Sequence, residues 1–100
     1  MKLVLTEAAL ADLKSIRHYT LESWGSAQEE RYLGNLWTKF GSLLADPLRY
    51  RTRDDLFPGC RIAAQGSHVI LFRVGGETLE IVRVLHGAMD FKRHLPPPAE

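Results

Sequence analysis

Two polar side chains interrupt the most apolar stretch of the chain. From Leu79 to Leu85 almost every residue is apolar or β-branched, which predicts a central β-strand buried on both faces. Arg83 lies inside this run and His86 follows its end. A buried guanidinium needs a partner, since breaking a buried ion pair costs about 3–5 kcal/mol, and a histidine with a pKa of about 6.5 can act as a general base. We expect an internal ion pair at Arg83, and we favour a role for both side chains in organising the next segment through hydrogen bonds.

The second group of candidate residues is the basic run from Arg49 to Arg53. Its three arginines could bind a phosphate, but Asp54 and Asp55 follow at once, and a solvated loop is the alternative interpretation. Other reactive constellations are missing from the sequence, because the histidines are dispersed and Cys60 is the one cysteine. Gly75-Gly76 also lacks the Lys-Ser/Thr pair of a phosphate-binding loop. We therefore expect no metal and no cofactor.

The composition limits the classes of function. A chain of 100 residues with 45% hydrophobic and 25% charged residues is typical of one soluble globular domain. A net charge of +1 gives no broad positive field, so we expect no direct sequence-specific binding of nucleic acid. The sequence has no signal-peptide core and no apolar run of the roughly 20 residues that a membrane helix needs. A reducing cytoplasm is the expected location, with no membrane partner.

The N-terminal half predicts a strand and two helices. Lys2 to Leu5 is a short strand, and Thr6 caps a helix that ends near Gly25. Ser26 to Glu29 has the spacing of a capping box and predicts an immediate second helix, so the two helices form an antiparallel hairpin. The two apolar stripes comprise Ala9, Leu13, Ile16 and Thr20, widened by Leu10 and Leu21, and then Leu33, Leu36, Phe40, Leu43 and Leu44.

Two glycines stand out in the second helix. Gly34 and Gly41 lie one heptad apart with Trp37 between them. Glycine costs about 0.5–1 kcal/mol relative to alanine inside a helix, so the pair suggests close approach of another backbone or a flat site for the indole. Trp37 is interpreted either as a core residue or as part of a patch that faces a partner.

The C-terminal half predicts a β-hairpin. Cys60 to Ala64 and His68 to Val74 are strands, and Gly75-Gly76 reverses the chain into the central strand. Strict alternation gives two faces, one with His68, Ile70, Phe72, Leu79, Ile81, Arg83 and Leu85, the other with Val69, Leu71, Arg73, Glu80, Val82, Val84 and His86. Arg73 could pair with Glu80. Both faces are apolar, yet one helical hairpin covers one face, so the other must be covered by the C-terminal segment, a second copy or another protein.

The segment after the central strand mixes apolar and charged residues. Gly87 takes the chain out of the sheet, and Met89, Phe91 and Leu95 then alternate with charged side chains. We predict a short amphipathic hook over residues 87–95. Three prolines, Pro96 to Pro98, prevent any continuing helix. We expect residues 1–95 to form a single domain and residues 96–100 to be a flexible proline-rich tail.

Four short strings resemble one known family. They are LTEAALADL at Leu5–Leu13, GCRI at Gly59–Ile62, SHVILFR at Ser67–Arg73 and IVRVLHGAMD at Ile81–Asp90. In this order they resemble the ParE toxins of bacterial ParD–ParE toxin–antitoxin systems, and the resemblance spans about residues 2–95. It implies an α+β fold of the RelE/ParE kind, β-α-α-β-β-β, with a helical hairpin on one face of a small, mostly antiparallel sheet. It also implies a toxin that poisons DNA gyrase and blocks replication, and a ParD-like antitoxin that wraps around it.

The related RelE branch implies an alternative, a ribosome-dependent mRNA interferase. RNA cleavage needs a group that activates the 2′-hydroxyl and cations that stabilise the developing charge. Arg61 falls where the RelE branch has an arginine, but His86 replaces another, and Phe91 stands where the hook would need a tyrosine; Tyr50 is the nearby phenol upstream. The alternative therefore requires Arg61, His86 and the loop arginines to converge in one cleft.

We predict a protein that binds rather than catalyses, so no catalytic residue is assigned. An inactive partner-binding domain with the same fold is a third alternative. The residues expected to contact the target are His86, Met89, Asp90, Phe91, Lys92 and Arg93 of the hook region, with Arg49 and Arg51 of the basic run. The residues expected to contact the antitoxin are Trp37, Val69, Leu71, Arg73, Val82 and Val84.

Overall fold

The fold consists of two helices on one four-stranded sheet. The structure is a computed structural model that describes residues 1–95, and the predicted tail, residues 96–100, lies outside the described residues. In chain order the elements are β1 (Lys2–Leu5), α1 (Glu7–Trp24), α2 (Ser26–Ala45), a 3-10 turn (Pro47–Arg49), β2 (Arg61–Gln65), β3 (His68–Gly75), β4 (Thr78–His86) and a second 3-10 turn (Phe91–His94). The strand order is β1-β4-β3-β2, with β1 parallel to β4 and the other neighbours antiparallel. The predicted β-α-α-β-β-β fold class is confirmed.

The helices begin and end close to the predicted positions. The Thr6 side chain accepts a hydrogen bond from the backbone N–H of Ala9 at 3.0 Å and so caps α1. The predicted capping box at Ser26 is wrong, because Gly25, with φ 88°, takes the N-cap position of α2 and makes no side-chain cap. Glu29 lies one residue too far into the helix to close the box, and it pairs with Arg17 at 3.0 Å. The tight turn at Gly25 therefore depends on the positive φ that glycine tolerates.

The main core lies between the helices and one face of the sheet. Its fully buried members include Leu36, Phe40, Phe72 and Ile81. The stripe predicted for α1 is buried at Ala9, Leu13, Ile16 and Thr20. Leu10 and Leu21, expected to widen it, are 51% and 42% exposed. The core therefore needs only the narrow stripe of α1, and the flanking apolar residues of this helix face outward.

The close approach suggested for the α2 glycines is absent from the described part of the chain. A Cβ built on Gly34 or Gly41 meets no atom within 4 Å. Trp37 between them is 48% exposed and packs edge-on against Phe40, with ring centroids 5.2 Å apart. Trp37 is therefore a surface residue whose ring covers the rim of the core.

The predicted assignment of faces holds as far as Ile81 and is wrong beyond it. Phe72 pairs with Ile81 and Leu71 with Arg83, so Val82 is an extra residue that bulges from β4. Val84 consequently packs on the helix side, while Leu85 joins Leu71 on the opposite face. The bulge forms just beyond the end of β1. There the edge of β4 has no strand partner and is bound instead by Thr6 and by Asp12 of α1. The Thr6 hydroxyl donates to the Val82 carbonyl at 2.7 Å, and the Val84 N–H donates to Asp12 at 2.9 Å.

The second face of the sheet is covered by the chain itself. Cys60, Leu71 and Leu85 form a small buried cluster on this face. It is closed by Leu56 and Phe57 of the loop before β2 and by Phe91 and Leu95 of the hook. The C-terminal hook, one of the three covers expected for this face from the sequence, does cover it. The loop before β2 covers it as well. The predicted pair of Arg73 and Glu80 stands on the same face at 2.8 Å. In the part of the chain that is described, no helix is long and apolar enough to span a membrane.

Candidate functional site

Arg83 holds three elements together through its guanidinium. Its Nε and one Nη donate to the two carboxylate oxygens of Asp12 in α1, at 2.7 Å each. The other Nη donates to the backbone carbonyl of His94 in the hook. The side chains of Arg83 and Asp12 are only 20% and 13% exposed, and the hydrogen bonds to Asp12 raise the pKa of Arg83. The ion pair expected for Arg83 is formed, and it joins α1, β4 and the hook.

His86 shapes the turn that starts the hook. The Ala88 N–H donates to Nδ1 of His86 at 3.1 Å, and the Met89 N–H donates to the His86 carbonyl at 2.9 Å. The Gly87 N–H donates to the Ser67 carbonyl of the neighbouring hairpin at 2.9 Å. Because Nδ1 accepts a hydrogen bond, a neutral His86 carries its proton on Nε2. These bonds fix where Met89 leaves the sheet.

The rest of the hook divides into an anchored and an exposed side. Asp90 caps the 3-10 turn by accepting from the Lys92 N–H at 3.2 Å. Phe91 and Leu95 are partly buried against the second cluster. Met89 is 43% exposed, and Asp90, Lys92 and Arg93 are exposed. Of the hook residues predicted to contact the target, Phe91 is thus an anchor, while the others remain accessible.

Tyr32, His68 and His86 form a polar cluster at the end of the sheet. The Tyr32 hydroxyl lies 2.5 Å from Nδ1 of His68 and accepts from the Ser67 N–H at 3.0 Å. The Tyr32 hydroxyl therefore joins α2 to the turn before β3 and to the first residue of β3. His68 and His86 are direct cross-strand partners, with ring centroids 5.5 Å apart. Burial, and then the neighbouring His86, lower the pKa of His68.

A groove opens beside this cluster and includes the predicted site residues His86 and Met89. It encloses about 580 Å³ between α1, the start of α2, the β3 and β4 ends and the hook. We call it the histidine groove; it is lined by Ser15, Ile16, Tyr19, Thr20, Trp24, Gln28, Tyr32, Ser67, His68, His86 and Met89. Tyr19 and Trp24 are 67% and 71% exposed. Such exposed aromatic side chains around a concavity are typical of protein-binding surfaces.

The basic run lies beside the outer edge of β2, where Thr52 bridges Arg61, and it is largely engaged in structure. Arg61 donates to the carbonyl oxygens of Leu48 and Tyr50 at 3.3 and 2.7 Å. Arg53 forms two hydrogen bonds with Asp55 at 2.8 and 2.9 Å, which lower the pKa of Asp55 to about 2. Arg49 lies over the Tyr50 ring, 5.4 Å from its centroid. Arg49 and Arg51 are exposed. The interpretation of this run as a solvated loop therefore accounts for most of its residues.

The residues required for the ribonuclease alternative do not converge. Arg61 pairs with Phe72 and His86 pairs with His68, which are four residues apart on β3. At about 3.3 Å per residue, the two positions are separated by roughly 13 Å along the strand. Arg61 is also turned toward backbone carbonyls. The predicted target residues accordingly fall into two patches, His86 with the hook at the end of β4, and Arg49 with Arg51 beside the edge strand β2.

The residues predicted to contact the antitoxin are mostly covered in this chain. Leu71 and Val84 are 0% and 2% exposed, because the hook and loop cover the first and the bulge turns the second into the main core. Val69 and Val82 are half-buried. Arg73 is exposed and lies over the Phe57 ring, 5.8 Å from its centroid. Trp37 and Arg73 thus remain accessible, while Leu71 and Val84 offer no surface in this arrangement.

Sequence reasoning missed the aromatic wall of the histidine groove. Tyr19 and Trp24 fall outside the apolar stripe of α1, and Tyr32 lies at the edge of the apolar stripe of α2. The signal available in the sequence was the presence of aromatic residues outside the buried stripe of a helix, which indicates an exposed aromatic surface. No group of three metal-ligating side chains is found among residues 1–95, so the histidine pair has no further ligand of that kind.

Comparisons with known proteins agree with this architecture. The family model described as the ParE toxin of type II toxin–antitoxin system, parDE, matches residues 3–91. A curated relative, Toxin ParE1 of Mycobacterium tuberculosis, is 41% identical over 93 residues, covering 92% of this chain and 95% of the relative. The chromosomal ParDE TA system from P. aeruginosa superposes with a TM-score of 0.74 at 23% identity, covering 86% of this chain and 95% of that one. The RelBE2 toxin–antitoxin complex from Mycobacterium tuberculosis gives a TM-score of 0.53 at 26% identity, covering 85% and 95%.

Proposed function

This chain belongs to the ParE toxin family of type II toxin–antitoxin systems, and from that premise we propose that it inhibits DNA gyrase by binding and is neutralised by a ParD-like antitoxin. The observation that carries the proposal is the exposure of Met89 on an anchored hook. This residue is 43% exposed on a hook that is held by the Arg83–Asp12 pair and by the Phe91 and Leu95 anchors. Preorganised apolar side chains bind with little loss of conformational freedom.

Binding rather than catalysis is supported by the state of the candidate catalytic groups. Arg61 donates to two backbone carbonyls, and Arg53 is committed to Asp55. His86 is far from both, and its Nδ1 already accepts from the Ala88 N–H. A general base must reach the proton that it abstracts, and cations must surround the developing charge. These side chains instead stabilise loops and turns.

We assign gyrase to the hook end of the sheet, through His86, Met89, Asp90, Lys92 and Arg93. Arg49 and Arg51 lie beside the edge strand β2 and would act as a second, separate contact. The antitoxin is proposed as partner because one structural neighbour is itself described as a toxin–antitoxin complex. The exposed residues Trp37 and Arg73 are the members of the predicted antitoxin set that a partner could reach without unfolding the hook.

The test is a pair of assays with the purified chain. Gyrase supercoiling and in vitro translation are measured in parallel, each with and without the antitoxin. We expect supercoiling to stop, linear DNA to accumulate and translation to continue, with the antitoxin restoring supercoiling. Arrest of translation with mRNA cleavage would instead assign the RelE-like activity, and no effect in either assay would assign the inactive partner-binding domain.

A further inference from the structure

We propose that the surface around Tyr50 binds the phosphate backbone of DNA, so that the toxin contacts the DNA of a gyrase–DNA complex as well as the enzyme. This inference rests on the proposed inhibition of gyrase, and it names DNA as the partner of the second contact, which includes Arg49. We call this surface the Tyr50 patch; it is defined by Lys39, Arg49, Tyr50 and Arg61. The hook stays assigned to gyrase.

Three cations from three different elements converge on Tyr50. Lys39 lies in the second half of α2, and its Nζ is 5.3 Å from the centroid of the Tyr50 ring. Arg49 ends the first 3-10 turn, and its Cζ is 5.4 Å from the same centroid. Arg61 begins β2, and one of its Nη atoms donates to the carbonyl oxygens of Leu48 and Tyr50 at 3.3 and 2.7 Å. The fold therefore places three positive charges around one residue.

These positive charges are not neutralised within the described residues. The ion pairs formed there bring a carboxylate within 4.0 Å of other cations, but not of Lys39, Arg49 or Arg61. Asp46, three positions before Arg49, forms none of these pairs, and Asp55 already holds another arginine of the basic run. Although the whole chain has a net charge of +1, the Tyr50 patch therefore carries a concentrated positive charge, which attracts anions locally.

The residue at the centre of the patch is fixed by the core. The Tyr50 ring packs edge-on against Phe72, with centroids 5.8 Å apart, and it is partly buried against the main core. The backbone of the same segment is tied to β2, since the Ile62 N–H donates to the Arg51 carbonyl at 3.0 Å. A tyrosine ring attracts the cations over its face. Cations that are positioned in this way lose little conformational freedom when they bind a phosphate.

The composition of the patch favours phosphates over the carboxylates of a protein. Lysine and arginine neutralise the phosphates of DNA, whereas lysine is depleted at the centre of protein–protein interfaces. The aromatic residue that a protein partner would bury is here largely packed against its own chain. Because phosphate contacts carry no sequence information, we expect binding that does not depend on the DNA sequence.

The number of cations predicts how strongly salt weakens the binding of DNA. Each neutralised phosphate contributes about −0.9 to the slope of log K against log salt, so three contacts give about −2.7. An increase in salt of about fourfold then weakens binding roughly 40-fold. If a single cation is left, the same increase weakens binding only about three- to fourfold.

The decisive experiment measures binding of the purified toxin to a fluorescein-labelled DNA duplex of about 20 base pairs by fluorescence anisotropy. The wild type is compared with Lys39→Gln/Arg49→Gln, in which Arg61 stays because it holds two carbonyls. The matched control is Lys2→Gln/Lys14→Gln, which removes two exposed charges elsewhere. Circular dichroism in the far ultraviolet is the folding control.

The expected result is a difference in both affinity and salt dependence. At about 20 mM salt, Lys39→Gln/Arg49→Gln should bind the duplex at least about tenfold more weakly than the wild type. Between about 20 and 80 mM salt, its affinity should fall about three- to fourfold, and that of the wild type and the control roughly 40-fold. Equal salt dependence of the three proteins, or no binding by the wild type, would overturn the proposal.

An apolar neighbour distinguishes DNA from a protein partner. Leu48 is 66% exposed and precedes Arg49, so a protein bound at the patch would cover its side chain. A phosphate backbone gains little from this contact, and Leu48→Ala should bind the duplex within about twofold of the wild type. A loss as large as that of the double glutamine variant at Lys39 and Arg49 would contradict binding through charge.

Gyrase assays separate this inference from the proposed target. If the wild type binds DNA as described but spares gyrase, the DNA site stands and the target assignment fails. If gyrase is inhibited, Lys39→Gln/Arg49→Gln should need at least about tenfold more protein, while its binding to gyrase without DNA stays equal to that of the wild type. Unchanged inhibition by this variant, or weaker binding to gyrase without DNA, would show that the patch does not act through DNA.

Discussion

Asp12 and Arg83 are 71 positions apart in the chain and form a two-pronged ion pair with both oxygens at 2.7 Å. The same carboxylate accepts the Val84 N–H at 2.9 Å, and the same guanidinium reaches the His94 carbonyl. One pair therefore fastens α1 to the bulged part of β4 and secures the hook. The link holds the hook at His94, while the His86 turn holds it at Met89.

Removing one partner of this pair should destabilise the fold. We expect Asp12→Ala to lower the free energy of unfolding by about 3 kcal/mol, at the lower end for buried pairs because both side chains keep some exposure. Urea unfolding measures the change. In the double variant Asp12→Ala/Arg83→Met, the loss should be smaller than the sum of the single losses, since no charge is left unpaired. Strict additivity would show that the two side chains stabilise the fold independently.

The turn between β2 and β3 should not accept a Cβ. Gly66 has φ 58°, and a Cβ there would lie 2.7 Å from the Tyr32 hydroxyl oxygen. Gly76 has the same φ of 58° with no atom within 4 Å of its Cβ, so it is a matched control for the backbone effect. We expect Gly76→Ala to cost about 1–2 kcal/mol and Gly66→Ala clearly more, because Tyr32 must also move. Equal losses in thermal unfolding would mean that the contact with Tyr32 is of no consequence.

The stability of the protein should fall in mild acid because of His68. Burial lowers the pKa of His68 in the folded state below its ordinary value, so the unfolded chain binds a proton first as the pH drops. The stabilisation is therefore complete above a pH of about 6.5 and is lost as the pH falls toward the lower folded-state pKa. Urea midpoints between pH 7.5 and 5.5 measure the loss. His68→Gln should flatten this dependence. A wild-type midpoint that stays constant over this range would contradict the account.

The lone thiol should be unreactive in the folded protein. Cys60 is fully buried under the hook and loop, and burial raises its pKa to about 11. At a pH of about 8 its thiolate fraction should be at least about 100-fold below that of an ordinary cysteine, whose pKa is about 8.5. Alkylation by iodoacetamide should accordingly follow unfolding, and it should be equally slow in Leu10→Ala, which changes an exposed residue of α1 outside the cluster around Cys60. Rapid alkylation of the native chain would show that the hook opens readily.

The elements with a local cause were predictable, and those fixed by distant contacts were not. The Thr6 cap, the stripe of α1 and the glycine hairpin follow from neighbouring residues. The bulge at Val82 follows from Thr6 and Asp12, which capture the edge of β4 from more than 70 positions away. Periodicity alone extends the alternation of the two faces of β4 past Val82, and it therefore predicts the wrong face for Val84.

The candidate site was predictable in part for the same reason. His86 and Met89 follow a recognisable strand end, so they could be singled out. Tyr19, Trp24 and Tyr32 reach the same groove because the helical hairpin folds back onto the end of β3, and no short pattern in the sequence indicates that contact. Cys60 to Ala64 was expected as a strand, but β2 begins at Arg61 and Cys60 belongs to the loop that covers the second face.

Deleting the hook would expose the second cluster, because Phe91 and Leu95 close it. A point variant at its exposed side is therefore the sharper probe of function. Met89 and Leu10 are exposed apolar residues, 43% and 51%, the first on the hook and the second on α1. Met89→Asp and Leu10→Asp form a matched pair that adds the same charge at either place.

Inhibition of gyrase supercoiling by the wild type, Met89→Asp and Leu10→Asp is the measurement that tests target binding through the hook most directly. We expect the wild type and Leu10→Asp to inhibit at similar concentrations, and Met89→Asp to need at least about tenfold more protein, which corresponds to about 1.4 kcal/mol of lost contact. A Met89→Asp variant that inhibits as well as the wild type, or a wild type that leaves supercoiling untouched, would contradict the account.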